Sequence, residues 1–319
     1  MKEAAFVKQN LQTWEAFEKV IQDTSKADPD QLADLFIRVT NDLAFSRTQY
    51  PESQVTIYLN SLASKIHHAI YRNKKEKTSR FITFWTQELP MIHFEARKQF
   101  FYAFVFFVIP ALIGALSAHY DQTFARLILG DGYINTTLEN IERGEPMGVY
   151  SSMDRTTMFL VILINNVKVM LKTFAFGLLL SVGAVMILFY NGVMVGVFQY
   201  FFYLKGLFWI SFLTIWTHGT LEISAIILAG GAGLTVGNSI LFPGTYSRFQ
   251  SFKIGVKKGL KIIIGLIPVI TLAALLEGFV TRITDWHWSF KAVIIAASAA
   301  FVLYYYIIYP IRFRKNVTE

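Results

Sequence analysis

The sequence predicts an all-α fold: a polytopic membrane helix bundle of about six spans, some broken or re-entrant, behind an N-terminal cytosolic helical domain. Three observations carry this. Hydrophobic residues make up 54% of the chain and charged residues only 16%, with a mean hydropathy of +0.42, more apolar than soluble domains usually are. The charge is uneven: 14 of the 30 Lys/Arg and 12 of the 22 Asp/Glu fall within residues 1–99, and long apolar stretches dominate from Phe100 onward. That divides the chain into a soluble domain, 1–98, and a transmembrane domain, 99–319, with an outer loop at 119–155. Finally, the apolar tract around Thr217–Ile223 holds His218 and Glu222 four residues apart, one face of a helix if the tract is helical.

The N-terminal part reads as three or four helices. Phe6, Leu11, Trp14, Phe17 and Val20 recur at helical spacing. Asp28-Pro29 starts a second helix, running to about Arg47. Tyr50-Pro51-Glu52 starts a third, with Val55, Leu59, Leu62, Ile66 and Ile70 on its apolar stripe. Arg72–Ser79 reads as a charged loop or fraying end. Phe81, Ile82, Phe84 and Trp85 beside Arg80 suit a helix at the membrane interface and suit a bundle core equally. The N-terminus has no apolar h-region, so no cleaved signal peptide is expected and the first span serves for targeting.

The spans follow in order. The first is about Phe100–Ala118. Met158–Tyr190 is apolar but interrupted by Asn165, Asn166, Lys168 and Lys172. A straight helix of that length would measure roughly 50 Å, too long for one crossing of about 30 Å of hydrocarbon and too short for two. It reads as an interfacial or tilted helix, Thr156–Leu171, and a span, Thr173–Tyr190, with Asn191-Gly192 turning the chain. Val193–Trp216, interrupted at Lys205-Gly206, is one kinked crossing or a re-entrant pair. Glu222–Leu241, Leu260–Thr281 and Ser289–Tyr309 complete the count.

Orientation follows from the basic residues. Residues 119–155 carry six acidic and three basic side chains, against five basic and no acidic ones in 243–261. The excess of Lys/Arg puts the second segment and both termini in the cytoplasm and the first outside. The net charge of +8 sits beside apolar segments. It therefore reads as a topology signal that also meets anionic lipid headgroups, not as a nucleic-acid-binding face. The absence of cysteine excludes disulfides, thiolate nucleophiles and cysteine-ligated metals.

Ionisable groups at membrane depth are costly, so His218 and Glu222 form a candidate functional site. Three roles are open to them: mutual structural satisfaction, a proton relay or polar substrate contact, or metal ligation. As a metal site the pair is one or two ligands short, and His119 and His287 in outer loops are the nearest further donors; no metal and no cofactor are expected. Asn165 and Asn166 complete an intramembrane polar site by hydrogen bonding across helices, and Lys168 lines a polar cavity or snorkels to water. Glu277, near the outer end of its span, is expected to contact solvent. Gly192 and Gly196, and Gly230, Gly233 and Gly237, fit close helix packing, within one subunit or across a homo-oligomer seam.

These residues resemble the stage II sporulation protein M family of bacterial membrane proteins. The likeness rests on His218-Gly219-x-x-Glu222, Ala229–Leu234, Pro243-Gly244 and Arg248. It is extended by Asn165-Asn166 ahead of Phe176-Gly177, and by Asn191-Gly192. In the N-terminal half, Trp14-Glu15-x-Phe17-Glu18, Asp42-Leu43-Ala44-x-x-Arg47, Tyr58-Leu59-Asn60-x-Leu62 and His67/His68-x-x-Tyr71-Arg72 are similar to the cytosolic helices of longer members. The resemblance implies a multi-pass protein of the bacterial inner membrane, whose namesake organises a cell-wall-degrading complex during engulfment. The sequence reading is accordingly a non-enzymatic scaffold in envelope remodelling that recruits other envelope proteins. The alternative is a transporter or lipid-handling protein with a polar cavity at His218 and Glu222. No nucleophile–base set is apparent, so an enzyme is not expected.

Overall fold

The computed structural model describes residues 2–22, 29–71, 79–121, 123–148, 154–283 and 286–318, and among these every regular element is helical. Asp28 and the charged stretch at 72–78 lie outside the described residues. The chain divides into two compact units, Met1–Arg80 and Phe81–Glu319.

The first unit is built from α1 (Glu3–Gln22), α2 (Pro29–Gln49) and α3 (Gln54–Tyr71). Their apolar stripes meet in a core of Phe6, Trp14, Phe17, Val39, Leu43, Leu59 and Leu62. The Trp14 indole N–H, which would be costly to bury unpaired, donates to Asp42 Oδ2 at 2.8 Å. Its helical order follows the spacing of apolar residues in the sequence.

The boundary between the units comes earlier than residue 98. It cuts through α4 (Ser79–Thr83), ahead of a π-helical turn, Phe84–Glu88, and α5 (Leu89–Glu95). Residues 81–98 belong with the membrane helices because the contacts lie there. Glu95 pairs with Lys258 at 2.7 Å and Glu88 with Lys261. Leu89 is fully buried over Gly265, where an added Cβ would lie 2.5 Å from the leucine side chain. Phe81 and Ile82 are exposed, as residues at a lipid interface are.

His93, on α5, is buried between Phe100 and Tyr306, with Nδ1 2.7 Å from the Leu89 carbonyl and Nε2 unpartnered. Burial disfavours the imidazolium and pulls its pKa from 6.5 down to about 4. The folded value lies below the unfolded one, so the unfolded chain binds more protons in between. The contribution is therefore whole above about pH 6.5 and is lost as pH falls toward 4, on the order of 3 kcal/mol in all. Thermal melts of the detergent-solubilised protein should lose stability over that window. His93→Phe should flatten the loss, and an unchanged profile would exclude His93 as its source.

Among the described residues, six helices are long and apolar enough to cross a membrane: Arg97–Tyr120, Arg155–Leu178, Val182–Leu204, Phe208–Leu241, Arg248–Thr281 and Trp288–Asn316. The first is α6 (Arg97–Tyr120). Its exposed Phe101, Phe104, Ile109, Leu112 and Leu116 form a face suited to lipid. The segment after it is not a plain loop but holds α7 (Thr123–Leu129) and α8 (Asp131–Glu142). Asp154 then caps α9 (Arg155–Ala175), accepting hydrogen bonds from the Thr156 and Thr157 amides. The Thr157 hydroxyl first, and then those two amides, hold its carboxyl below the usual carboxylate range.

The number six stands, but its partition differs from the sequence reading. Thr156–Leu171 is not a separate interfacial helix; it is part of the second apolar helix. The chain turns at 179–181, where Leu180 and Ser181 take positive φ of 51° and 71°. Asn191-Gly192 is no turn: it lies inside α10 (Val182–Leu204). Lys205-Gly206 is the turn, with Gly206 at φ 72°. α11 (Phe208–Leu241) then runs unbroken for 34 residues. The bundle closes with α12 (Arg248–Leu275), which ends in a π-helix, Leu276–Thr281, then α13 (Trp288–Leu303) and α14 (Tyr309–Thr318). No re-entrant hairpin occurs among the described residues.

Glycine sets the helix spacing. A Cβ at Gly192 or Gly196 would collide with the carbonyls of Phe107 and Ala111, and one at Gly114 with that of Val193, so α6 and α10 touch backbone to backbone. A Cβ at Gly230 would lie 2.6 Å from Leu188, and Gly233 and Gly237 press on Gly177, Ser181 and Ala184. These five glycines are covered by the chain's own helices, which removes them as a seam between subunits.

Candidate functional site

α11 is the central helix, and most of its residues from Thr217 to Gly237 are buried. Its hydroxyls are satisfied locally: Thr217, Thr220 and Ser224 each donate to the carbonyl four residues back. That leaves His218 and Glu222 as the groups needing partners from elsewhere. Their i,i+4 spacing places both on the inward face, as the sequence predicts, but well inside α11 rather than at the start of a span beginning at Glu222.

The principal partner is Glu277. It does not reach for solvent; its carboxylate oxygen lies 3.8 Å from His218 Nε2, with the side chains 14% and 5% exposed. The wide π turn at Leu276–Thr281 turns Glu277 and Thr281, four apart, toward α11. Thr281 Oγ1 is 2.9 Å from His218 Nδ1 and also donates to the Leu276 carbonyl at 3.2 Å. A hydroxyl has one proton, so with that proton on Leu276 the imidazole donates from Nδ1 and keeps its Nε2 lone pair toward the carboxylates. One ligand atom each from His218, Glu222 and Glu277 lies within 4.8 Å of the others.

Asn166, 4% exposed on α9, joins them. Its amide is directed at Glu222, although Nδ2 completes no hydrogen bond. Asn165 and Lys168 do not join: both are exposed on another face of α9. The predicted polar site therefore keeps His218, Glu222 and Asn166, loses Asn165 and Lys168, and gains Glu277 and Thr281. The signal for Glu277 was in the sequence, since a carboxylate within an apolar tract calls for a partner as much as Glu222 does.

The site is compact. Clefts of about 310, 300 and 350 Å³ lie elsewhere: beside Ala118 and Phe201, beside Glu95 and Lys258, and beside Phe176 and Tyr190. A second buried polar contact, Lys291 Nζ to Thr214 Oγ1 at 3.3 Å, joins α13 to α11.

Comparison with known families gives two matches. Residues 4–72, within the first unit, match a domain of unknown function, DUF8413. Comparisons with curated proteins and with solved structures returned no match. Residues 103–282 match the model of Stage II sporulation protein M. That match takes in more than half of the chain and every member of the polar cluster, so this is a membrane protein of the Stage II sporulation protein M family.

Proposed function

We propose that this chain is an assembly factor of the bacterial inner membrane, without enzymatic activity of its own, which holds a helical cytosolic domain for recruiting envelope-remodelling proteins. The observation that carries the reading is the backbone-to-backbone packing of α6 on α10 and of residues 177–184 on α11. Helices locked at that distance make a rigid frame, as a platform for other proteins requires. The family name, Stage II sporulation protein M, points the same way. The Lys/Arg asymmetry supports a cytoplasmic side for both termini and 243–261, where the basic stretch would meet anionic headgroups. An even number of spans is consistent with this. With its glycine faces filled, the bundle would self-associate through exposed apolar faces such as that of α6.

The alternative, a transporter or lipid-handling protein, is favoured by one observation, the buried ionisable cluster. Complementation of a chromosomal deletion separates the two. A chain lacking residues 1–72 should insert in the membrane and fail to restore the envelope, while Glu222→Gln should retain most function. The opposite pattern would favour the transporter. In the same cells a cysteine at exposed Thr136 should react with an impermeant thiol reagent and one at exposed Gln250 should not; reversal would overturn the orientation.

A further inference from the structure

We propose that His218, Glu222 and Glu277 form a binding site for one divalent transition-metal ion of the zinc, manganese or iron class. The inference is independent of the recruiting role proposed above.

Charge balance is the first argument. Two carboxylates face one another inside a membrane helix bundle, where unpaired ionised groups are strongly disfavoured. A dication with two carboxylates and a neutral imidazole carries no net charge. Geometry is the second. Donors about 2.0–2.2 Å from a tetrahedral ion stand roughly 3.3–3.6 Å apart. The three donors already lie within 4.8 Å, and His218 and Glu277 at 3.8 Å. Side-chain movement of about an ångström completes the approach.

The imidazole is oriented as a ligand. Thr281 accepts a hydrogen bond from Nδ1–H, which turns the Nε2 lone pair toward the carboxylates, and such an outer partner is the usual companion of a metal-bound histidine. Asn166 is the independent sign. Its Nδ2 is buried, directed at Glu222 and unsatisfied. A carboxylate that swings onto an ion would present its second oxygen to that amide. One nitrogen among oxygen donors favours a first-row transition ion over calcium or magnesium. Entry is through the end of α12, where Glu277 keeps its small exposure.

The test uses the full chain, purified in detergent and stripped with chelator. Titration with Zn2+, with elemental analysis after desalting, is expected to give one ion per chain. His218→Ala and Glu277→Gln should each bind at least tenfold more weakly, while His119→Ala and His287→Ala, in exposed positions, should bind as the parent does. The zinc K-edge absorption spectrum of the loaded parent should show scattering from one imidazole, and this decides the matter even where a variant fails to fold. Substoichiometric binding by the parent, undiminished binding by both folded site variants, or a spectrum without imidazole would overturn the proposal.

Discussion

Replacing Gly196 by leucine is expected to abolish accumulation of the folded chain. The residue sits in the middle of α10 with the Ala111 carbonyl where its Cβ would go. Backbone cannot rotate away as a side chain can, so α6 and α10 would have to separate. That separation would open the contacts at Gly192 and Gly114 as well, and the apolar cluster of Ala118, Val193 and Val197 that seals the same interface. Overpacking in a fitted core usually costs about 1–3 kcal/mol. Here the clash is with main chain at three linked glycines, and the cost should exceed that range. Gly219 is the internal control. An added Cβ there meets only side-chain carbons, at 3.6 and 3.7 Å, and Gly219→Ala should be tolerated. Fluorescence-detected gel filtration of the two variants compares them directly. A folded Gly196→Leu protein with parental stability would show that α6 and α10 do not meet as described.

His218→Leu should be the most damaging single change that leaves the helix packing intact. Leucine fills much of the volume but cannot face two carboxylates. Glu277 and Glu222 lose the imidazole between them, and the Thr281 hydroxyl loses its partner. Removing one member of a buried hydrogen-bonded group leaves its partners unsatisfied, at roughly 1–3 kcal/mol for each. The loss should be read from thermal unfolding with chelator present, which separates it from ion binding. Glu277→Gln should cost less, because the amide still hydrogen-bonds and brings no charge. Equal stability of parent and His218→Leu would mean that the imidazole contributes nothing to the cluster.

The helix bundle was legible because each apolar run is long and each basic segment flanks one. The turns were less so, for a physical reason. Glycine marks a turn or a close contact equally well, and at Gly192 the α6 backbone, far away in sequence, decides in favour of contact. The real turn at 179–181 is written in Leu-Leu-Ser, where the two leucines at its start are not turn residues and the lone serine is a weak turn signal. Packing of Gly177 and Gly237 around Ser181 holds those residues at positive φ. The polar site was half legible. Spacing alone put His218 with Glu222, since four residues return to one helix face. The same rule separates Asn165 from Asn166 by about 100° of helix rotation, so only one of the pair faces inward with its neighbours. Glu277 and Thr281 were hidden because they come from another helix, through a π turn that apolar periodicity does not reveal.

The central claim, that His218 and Glu277 act as one unit inside the bundle, is tested most directly by a double-mutant cycle. His218→Leu, Glu277→Leu and the double variant are compared with the parent by thermal unfolding in chelator. The account predicts strong non-additivity, a coupling of about 0.5–3 kcal/mol or more, with the double variant more stable than the sum of the two losses allows. Additive losses, with no coupling between the two positions, would contradict it.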